Sequence, residues 1–382
     1  MDSLYVAVPV LVLCLCLLAT WLAMRRMVSL CTRSGSRWWK AAERIVLSLA
    51  ILLAVGVAGN STYSAIAIRL FLAANLPAGK MYSVNGHKMH LYCIGSGQPT
   101  IILETGLGPA TDVLSWSALQ PKLAETSRVC SYDRAGLGWS EPRAGPSDAD
   151  QIASDLHDLL VQAHVSGPLV LIGTSYGGIY IRNYIGHYPA EVAGLVFIDS
   201  STPFQQERFQ DLARSPREAS PAMRIAILHA EYLLGVPRVL GWCGRPVPGW
   251  ESRSGRALGE DACIAHFEGV REFLSSAQSS AETARAGPFG ALPILIFSRD
   301  PSKALSMPNP PRSLADRETL WNVMQEELKT LSTRSRRIIA RGSGHGVCTD
   351  REDLVLREVR LFLDQIRGTT SQTPSYGSTI IE

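Results

Sequence analysis

Hydrophobic positions along this chain fall into three successive patterns, and each predicts a different kind of element. Leu4 to Met24 is uncharged and mostly apolar, and Ile45 to Ile68 is a second uncharged stretch, diluted in its later half by Asn60-Ser61-Thr62-Tyr63-Ser64. Both are long enough to cross a bilayer as helices. From Met81 onward the pattern changes to short runs. Met81 to Ile94 alternates about Asn85-Gly86, the signature of a hairpin. Short apolar strands follow at Thr100–Glu104, Arg128–Tyr132, Pro168–Ile172 and Val192–Ile198, with helical segments between them. One of these runs from a cap at Ser147 or Asp148 to His164 with Ile152, Leu156, Leu159, Leu160 and Ala163 on one face.

Between Pro203 and Pro288 the strand–helix alternation lapses into helical pieces with irregular joints. It resumes with a strand at Pro293–Phe297, a helix from Ser313 to Leu331, a strand at Arg337–Ala340 and a closing helix from Arg351 to Ile366. Strand alternating with helix predicts an α/β class domain, a mostly parallel doubly wound sheet covered on both faces. The expected organisation is a membrane anchor over 1–75 (helices 4–24 and 45–68, basic loop 25–44). A core follows over 80–202 and 291–366, with a helical cap at 203–290 over the strand ends. The polar tail 367–382 is expected to be disordered.

The 382 residues carry a net charge of +3 and 46% hydrophobic side chains, enough for one large core. The positive charge is localised. Residues 25–44 hold Arg25, Arg26, Arg33, Arg37, Lys40 and Arg44 against Glu43 alone, and the remainder is close to neutral. The globular part therefore has no basic footprint for nucleic acid. Trp38 and Trp39 suit an interface, and the basic loop predicts a helical hairpin with that loop in the cytoplasm. Everything after Ile68 would then lie on the extracytoplasmic side. A cleaved signal peptide is the rival, but Met1-Asp2-Ser3-Leu4-Tyr5 has no positive charge and Thr20–Met24 is a poor cleavage site.

Eight cysteines are present. Cys93, Cys130 and Cys348 are expected to be free thiols filling apolar space. Cys243 and Cys263 flank a Gly/Pro/Arg-rich loop, where a disulfide would suit an oxidising compartment. No metal-type cysteine spacing, Walker loop or dinucleotide fingerprint occurs, so no metal or cofactor is expected.

The candidate chemistry centres on Gly173-Thr174-Ser175-Tyr176-Gly177-Gly178. A serine with glycine two positions before and after it, between a strand and a helix, fits a nucleophile elbow. The turn is so sharp that a side chain at Gly173 or Gly177 would meet neighbouring backbone. A serine hydroxyl needs a histidine to take its proton and a carboxylate to orient that histidine. His345, in Gly342-Ser343-Gly344-His345-Gly346 after the last core strand, is the expected base. The other histidines lie on helices, on the hairpin or in the 203–290 stretch. Asp300, just past Phe297-Ser298-Arg299, is the favoured acid; Asp199, closing the strand after the elbow, is the alternative. The oxyanion of a tetrahedral intermediate needs N–H donors. Tyr176 and Leu107, the latter in Thr105-Gly106-Leu107-Gly108, are the expected pair.

Taken together, Leu103–Gly108, Tyr132-Asp133-Arg134-Ala135-Gly136-Leu137-Gly138-Trp139-Ser140, the elbow, Leu195–Asp199 and the Gly344-His345 loop resemble the α/β-hydrolase superfamily over residues 80 to 366. The resemblance implies the α/β-hydrolase fold, a Ser175/Asp300/His345 triad and an oxyanion hole at Leu107 and Tyr176. Thr105 departs from the histidine usual before the oxyanion glycine, and Ser175 argues against the branches that use aspartate as nucleophile. The expected activity is hydrolysis of carboxylic esters, lipid or other apolar esters included, with a small-molecule acyl substrate and the bilayer as partners. Acyl transfer, amide or thioester hydrolysis on the same residues, and a non-catalytic ligand receptor are the alternatives.

Overall fold

The computed structural model describes residues 2–32, 36–108, 113–212, 227, 230–232, 234–245, 259–260, 263–264, 266–305, 312–370 and 376–382. It divides into two compact units, 1–76 with 219–245, and 77–218 with 246–382.

The first unit is built on two packed helices, α1 (Asp2–Thr32) and α2 (Arg37–Ala74). Val10–Leu30 and Arg37–Phe71 are each long and apolar enough to cross a membrane, and nearly all of their side chains point outward. The segment 25–44 differs from the expected loop. It is helical on both sides of residues 33–35, and Arg26 pairs with Glu43 at 2.6 Å. The polar interruption in the second stretch has a local cause. Asn60 donates its side-chain amide to the Leu234 carbonyl, and Arg238 donates to Ser64. A short helix, Val236–Val239, therefore docks on the far end of α2, where Gly235 at φ 70° lies against Asn60. Asn60-Ser61-Thr62, which matches a glycosylation sequon, is thus in a helix, with its asparagine amide engaged.

The second unit holds a nine-stranded sheet in the order β1-β2-β4-β3-β5-β6-β7-β8-β9. The strands are β1 Lys80–Val84, β2 His87–Ile94, β3 Thr100–Glu104, β4 Val129–Tyr132, β5 Leu169–Thr174, β6 Val192–Ile198, β7 Ile294–Arg299, β8 Ser335–Ala340 and β9 Thr379–Ile381. β1, β2 and β4 pair antiparallel, and every later pairing is parallel. Parallel strands covered on both faces must be apolar on both, and successive residues divide between two cores. Ile102, Leu171, Phe197 and Ile296 belong to one core, beneath α3 (Ala149–Gln162) and α4 (Gly177–His187). Ile101, Val170, Val196 and Leu295 belong to the other, with Val355, Val359 and Phe362 of the closing helix Glu352–Arg367. Asp148 caps α3 by accepting from the Gln151 amide at 3.0 Å.

Two expectations are corrected here. The tail is not unstructured at its end: Thr379–Ile381 extends the sheet as β9, paired with β8. Its three β-branched residues, Thr379, Ile380 and Ile381, favour an edge strand that the polar composition of the whole tail conceals. Cys93 and Cys130 are not free thiols. They face each other across β2 and β4 and form a disulfide. Cys243 and Cys263 are also disulfide-bonded, whereas Cys348 is free.

Between β6 and β7 the second unit contributes α5 (Gln205–Leu212), α6 (His266–Leu274) and α7 (Ser276–Thr283). After β7 comes α8 (Arg312–Glu327), and Glu352–Arg367 is α9.

Candidate active site

Strand β5 ends at Thr174, and α4 begins three residues later at Gly177. Ser175 sits in the turn at φ 51°, a left-handed conformation that costs a non-glycine residue of order 1–3 kcal/mol. The surrounding backbone holds it there. Ser175 N donates to the Ile198 carbonyl at 3.1 Å, and Ser201 N donates to the Ser175 carbonyl at 2.8 Å. Ser200 Oγ donates to the Gly173 carbonyl at 2.8 Å. A Cβ on Gly173 would stand 2.7 Å from the Gly177 carbonyl, and one on Gly177 would stand 2.7 Å from the carbonyl oxygens of Glu104 and Thr105. The glycine spacing is therefore a packing requirement of the turn.

His345 lies in the loop after β8. Its Nε2 is 3.0 Å from Ser175 Oγ, and its Nδ1 is 2.5 Å from Asp199 Oδ2. Residues from three strand ends thus form one hydrogen-bonded chain, serine to histidine to aspartate. Of the two candidate acids, the structure brings Asp199 to the histidine. Asp300, the favoured one, faces elsewhere: it accepts from Ser302 N at 2.9 Å, Ser302 Oγ at 2.7 Å and Gly342 N at 2.8 Å. Asp300 thus holds the base of the histidine loop, while Asp350 accepts from Gly344 N at 2.6 Å further along it. Which strand end delivers the acid depends on side-chain direction in two adjacent loops, which sequence order leaves undetermined.

Asp199 is wholly buried and surrounded by donors. Arg299 N donates to Oδ1 at 3.1 Å and Arg299 Nη1 to Oδ2 at 3.0 Å, and Trp321 Nε1 donates to Oδ1 at 2.8 Å. Burial alone would raise the pKa of this carboxyl. The hydrogen bond and charge of His345, followed by the Arg299 guanidinium, outweigh burial and hold it below the ordinary aspartate value. Arg299 is itself balanced by Glu318, which accepts from its Nε and Nη2 at 2.9 and 2.7 Å. Its guanidinium lies 4.3 Å from the Trp321 ring centre. Sequence reasoning missed Arg299, Glu318 and Trp321. The available signal was a cation directly before Asp300 at a strand end, with Glu318 and Trp321 one helical turn apart on α8.

The expected oxyanion loop, Thr105 to Gly108, is held from behind by a buried ion cluster. Arg134 donates to the Gly106 carbonyl at 2.7 Å and to Thr105 Oγ1 at 2.9 Å. The same guanidinium pairs with Glu104 at 2.6 Å and with Glu272 of α6 at 2.6 and 3.0 Å. Glu272 also accepts from Gly108 N at 3.3 Å. Burial raises the Glu104 pKa despite the opposing pull of Arg134, and Tyr132 donates its hydroxyl to the same carboxyl. Gly106 approaches the elbow so closely that a Cβ there would be 3.1 Å from Ser175 Cβ. Neither the Leu107 nor the Tyr176 amide hydrogen-bonds to another described residue. The Tyr176 side chain is turned away, its hydroxyl donating to the Ser276 carbonyl at 2.8 Å.

Two clefts share Ser175 and His345. One, of about 480 Å³, is lined by residues of α5 and α8, among them Gln205, Phe209, Arg317 and Trp321. The other, of about 330 Å³, is lined by Leu107, Trp116, Ile198 and Val347 among others. Such an arrangement can take an ester carbonyl at the serine, with a separate space for each side of the bond.

Comparison with known proteins agrees with the fold. The family described as alpha/beta hydrolase fold matches residues 99–223. An AB hydrolase superfamily protein of Gibberella zeae is 34% identical over 119 residues, covering 30% of this chain and 35% of that protein. A probable transporter of Hormonema carpetanum is 26% identical over 290 residues, covering 72% of this chain and 40% of that protein. The chain spans about two fifths of the length of the curated relatives it matches. Among solved structures, a bacterial membrane phospholipase A is similar at TM-score 0.53 and 22% identity, covering 85% of this chain and 99% of its own. The sheet order and the elbow agree with the family match over residues 99–223, and the second unit has the α/β-hydrolase fold.

Proposed function

We propose that this protein is a membrane-anchored serine hydrolase that cleaves carboxylic esters through an acyl-enzyme. One observation carries the reading: the hydrogen-bonded run from Ser175 Oγ through His345 to the buried Asp199. The match to the α/β-hydrolase fold family over residues 99–223 supports hydrolytic activity.

In this reading His345 Nε2 takes the Ser175 proton as Oγ attacks the acyl carbonyl. Asp199 keeps Nδ1 protonated and steadies the imidazolium that forms. The oxyanion receives the Leu107 and Tyr176 amides, with the N-terminus of α4 behind it favouring negative charge. His345 then returns its proton to the departing alcohol. Water, activated by the same imidazole, releases the acid and restores Ser175.

The two long apolar helices support a tether to the bilayer, and thus access to acyl lipids. The similar phospholipase, also a membrane protein by its description, fits the same reading. The Cys93–Cys130 disulfide, with the oxidised Cys243 and Cys263, supports an extracytoplasmic position for the hydrolase unit. The test is covalent labelling by a fluorophosphonate together with ester hydrolysis by the full chain in detergent. Both should be present in the wild type and lost in Ser175→Ala. A wild type that neither labels nor hydrolyses would overturn the reading in favour of a binding role.

A further inference from the structure

The two clefts at Ser175 differ in charge. The smaller is lined by Leu107, Trp116, Ile198 and Val347, and His345 is the only titratable side chain there besides the thiol of Cys348, among the described residues. The larger contains two guanidinium groups, from Arg299 and Arg317. Arg299 is fully matched, with Asp199 on one side and Glu318 on the other. Glu318, the carboxylate lining this cleft among the described residues, is therefore committed.

Arg317 is not matched. It makes no ion pair among the described residues. Its guanidinium lies 4.7 Å from the centre of the Phe209 ring, a stacking contact that leaves its edge N–H donors available. The helix places it well: Ser313, Leu314, Arg317 and Trp321 fall on one stripe of α8, and all four line the cleft. Gln205 on α5 adds a polar group, with a buried Oε1 that has no hydrogen-bond partner among the described residues.

We propose that Arg317 recognises an anionic group, phosphate or carboxylate, on the alcohol side of the ester. The acyl chain then occupies the smaller, less polar cleft. This inference rests on the ester-hydrolase reading and narrows it to amphiphilic esters with an anionic head. A planar fork without a counter-charge among the described residues, on the same cleft as the nucleophile, is suited to binding an oxyanion through two N–H donors.

The experiment compares three octanoyl esters with the full chain in detergent: 1-octanoylglycerol, its 3-phosphate, and 3-octanoylglycerate. They share the acyl chain and differ in having no charge, a phosphate or a carboxylate. The wild type should prefer one or both anionic esters in kcat/KM by about 10- to 100-fold, the scale of one charge-assisted contact. Arg317→Ala should collapse that ratio, Arg317→Glu should collapse or invert it, and Arg317→Lys should keep part of it. Fluorophosphonate labelling of each variant shows that the site is still assembled. A wild-type ratio near one, or a ratio that survives in labelled Arg317→Ala and Arg317→Glu, overturns the inference and leaves ester hydrolysis standing. A wild type that hydrolyses none of the three and does not label overturns both.

Discussion

Arg299 Nη1 stands 3.0 Å from Asp199 Oδ2, the same oxygen that His345 Nδ1 meets at 2.5 Å. One carboxylate oxygen thus serves both a structural cation and the base of the proposed reaction. Arg299 is the last residue of β7, the strand after which the acid was expected. Its neighbour Asp300 turns away to hold the histidine loop, and the guanidinium supports the carboxylate of the adjacent strand instead.

The assignment of the acid follows from that geometry and separates cleanly by substitution. Asp199→Asn should lower kcat by about 10³- to 10⁴-fold, because an amide cannot hold the histidine in the working tautomer. Asp300→Asn should cost less than about tenfold, since it weakens a loop contact rather than the proton path. Steady-state kinetics on a soluble ester decides the matter. The reverse order would return the role to Asp300.

The pH dependence of stability has a definite sign at Asp199. Its folded pKa is held below the ordinary aspartate value by His345 and Arg299 against the pull of burial. Its contribution to stability is therefore complete above about pH 4, the unfolded value, and is lost as pH falls through the folded pKa. Denaturant titrations between about pH 5 and pH 2 should show a shallower loss of stability in Asp199→Asn than in the wild type. An equal or steeper loss in the variant would contradict the direction of the shift.

The site was unevenly legible from sequence, for reasons that can be located. Ser175, Gly173 and Gly177 were readable because a strained turn admits few residue types, and the close backbone contacts at both glycines explain the spacing. His345 was readable because glycines bracket it after the last core strand. The sheet was readable because both of its faces are buried, which makes Ile101–Leu103 and Val192–Ile198 continuous apolar runs. Asp199 against Asp300 was not decidable, because both close a strand and only three-dimensional direction separates them. The Arg134–Glu104–Glu272 cluster was not visible at all: its members lie up to 168 positions apart and carry no local pattern. Terminal strand β9 was hidden for a related reason, since three residues make a strand only once β8 offers an edge.

That ion cluster predicts coupling between α6 and the proposed oxyanion loop. Arg134 and both carboxylates are buried, so Arg134→Met leaves Glu104 and Glu272 without a counter-charge. The expected loss of stability is about 3–5 kcal/mol, measured by denaturant unfolding. Glu272→Gln is milder, keeping one acceptor for Arg134 and Gly108. It should lower kcat more than it raises KM, because the loop's N–H donors act on charge that develops in the transition state. A rise in KM alone would mean that Glu272 shapes substrate binding only.

The cross-strand disulfide yields the last expectation. Cys93 and Cys130 are 37 positions apart and lie on hydrogen-bonded neighbours, β2 and β4. Closing a loop of that length restricts the unfolded chain, so replacing both cysteines with alanine should lower stability by about 2–4 kcal/mol. The antiparallel pairing itself remains, and with it the position of β3 and the oxyanion loop, so ester hydrolysis at low temperature should persist. The same bond reports on the compartment. If the hydrolase unit lies outside the cytoplasm, thiols alkylated in intact cells before lysis should leave Cys93 and Cys130 unmodified until a reductant is added. Immediate alkylation of both would place this unit in a reducing compartment and reverse the proposed orientation of the anchor.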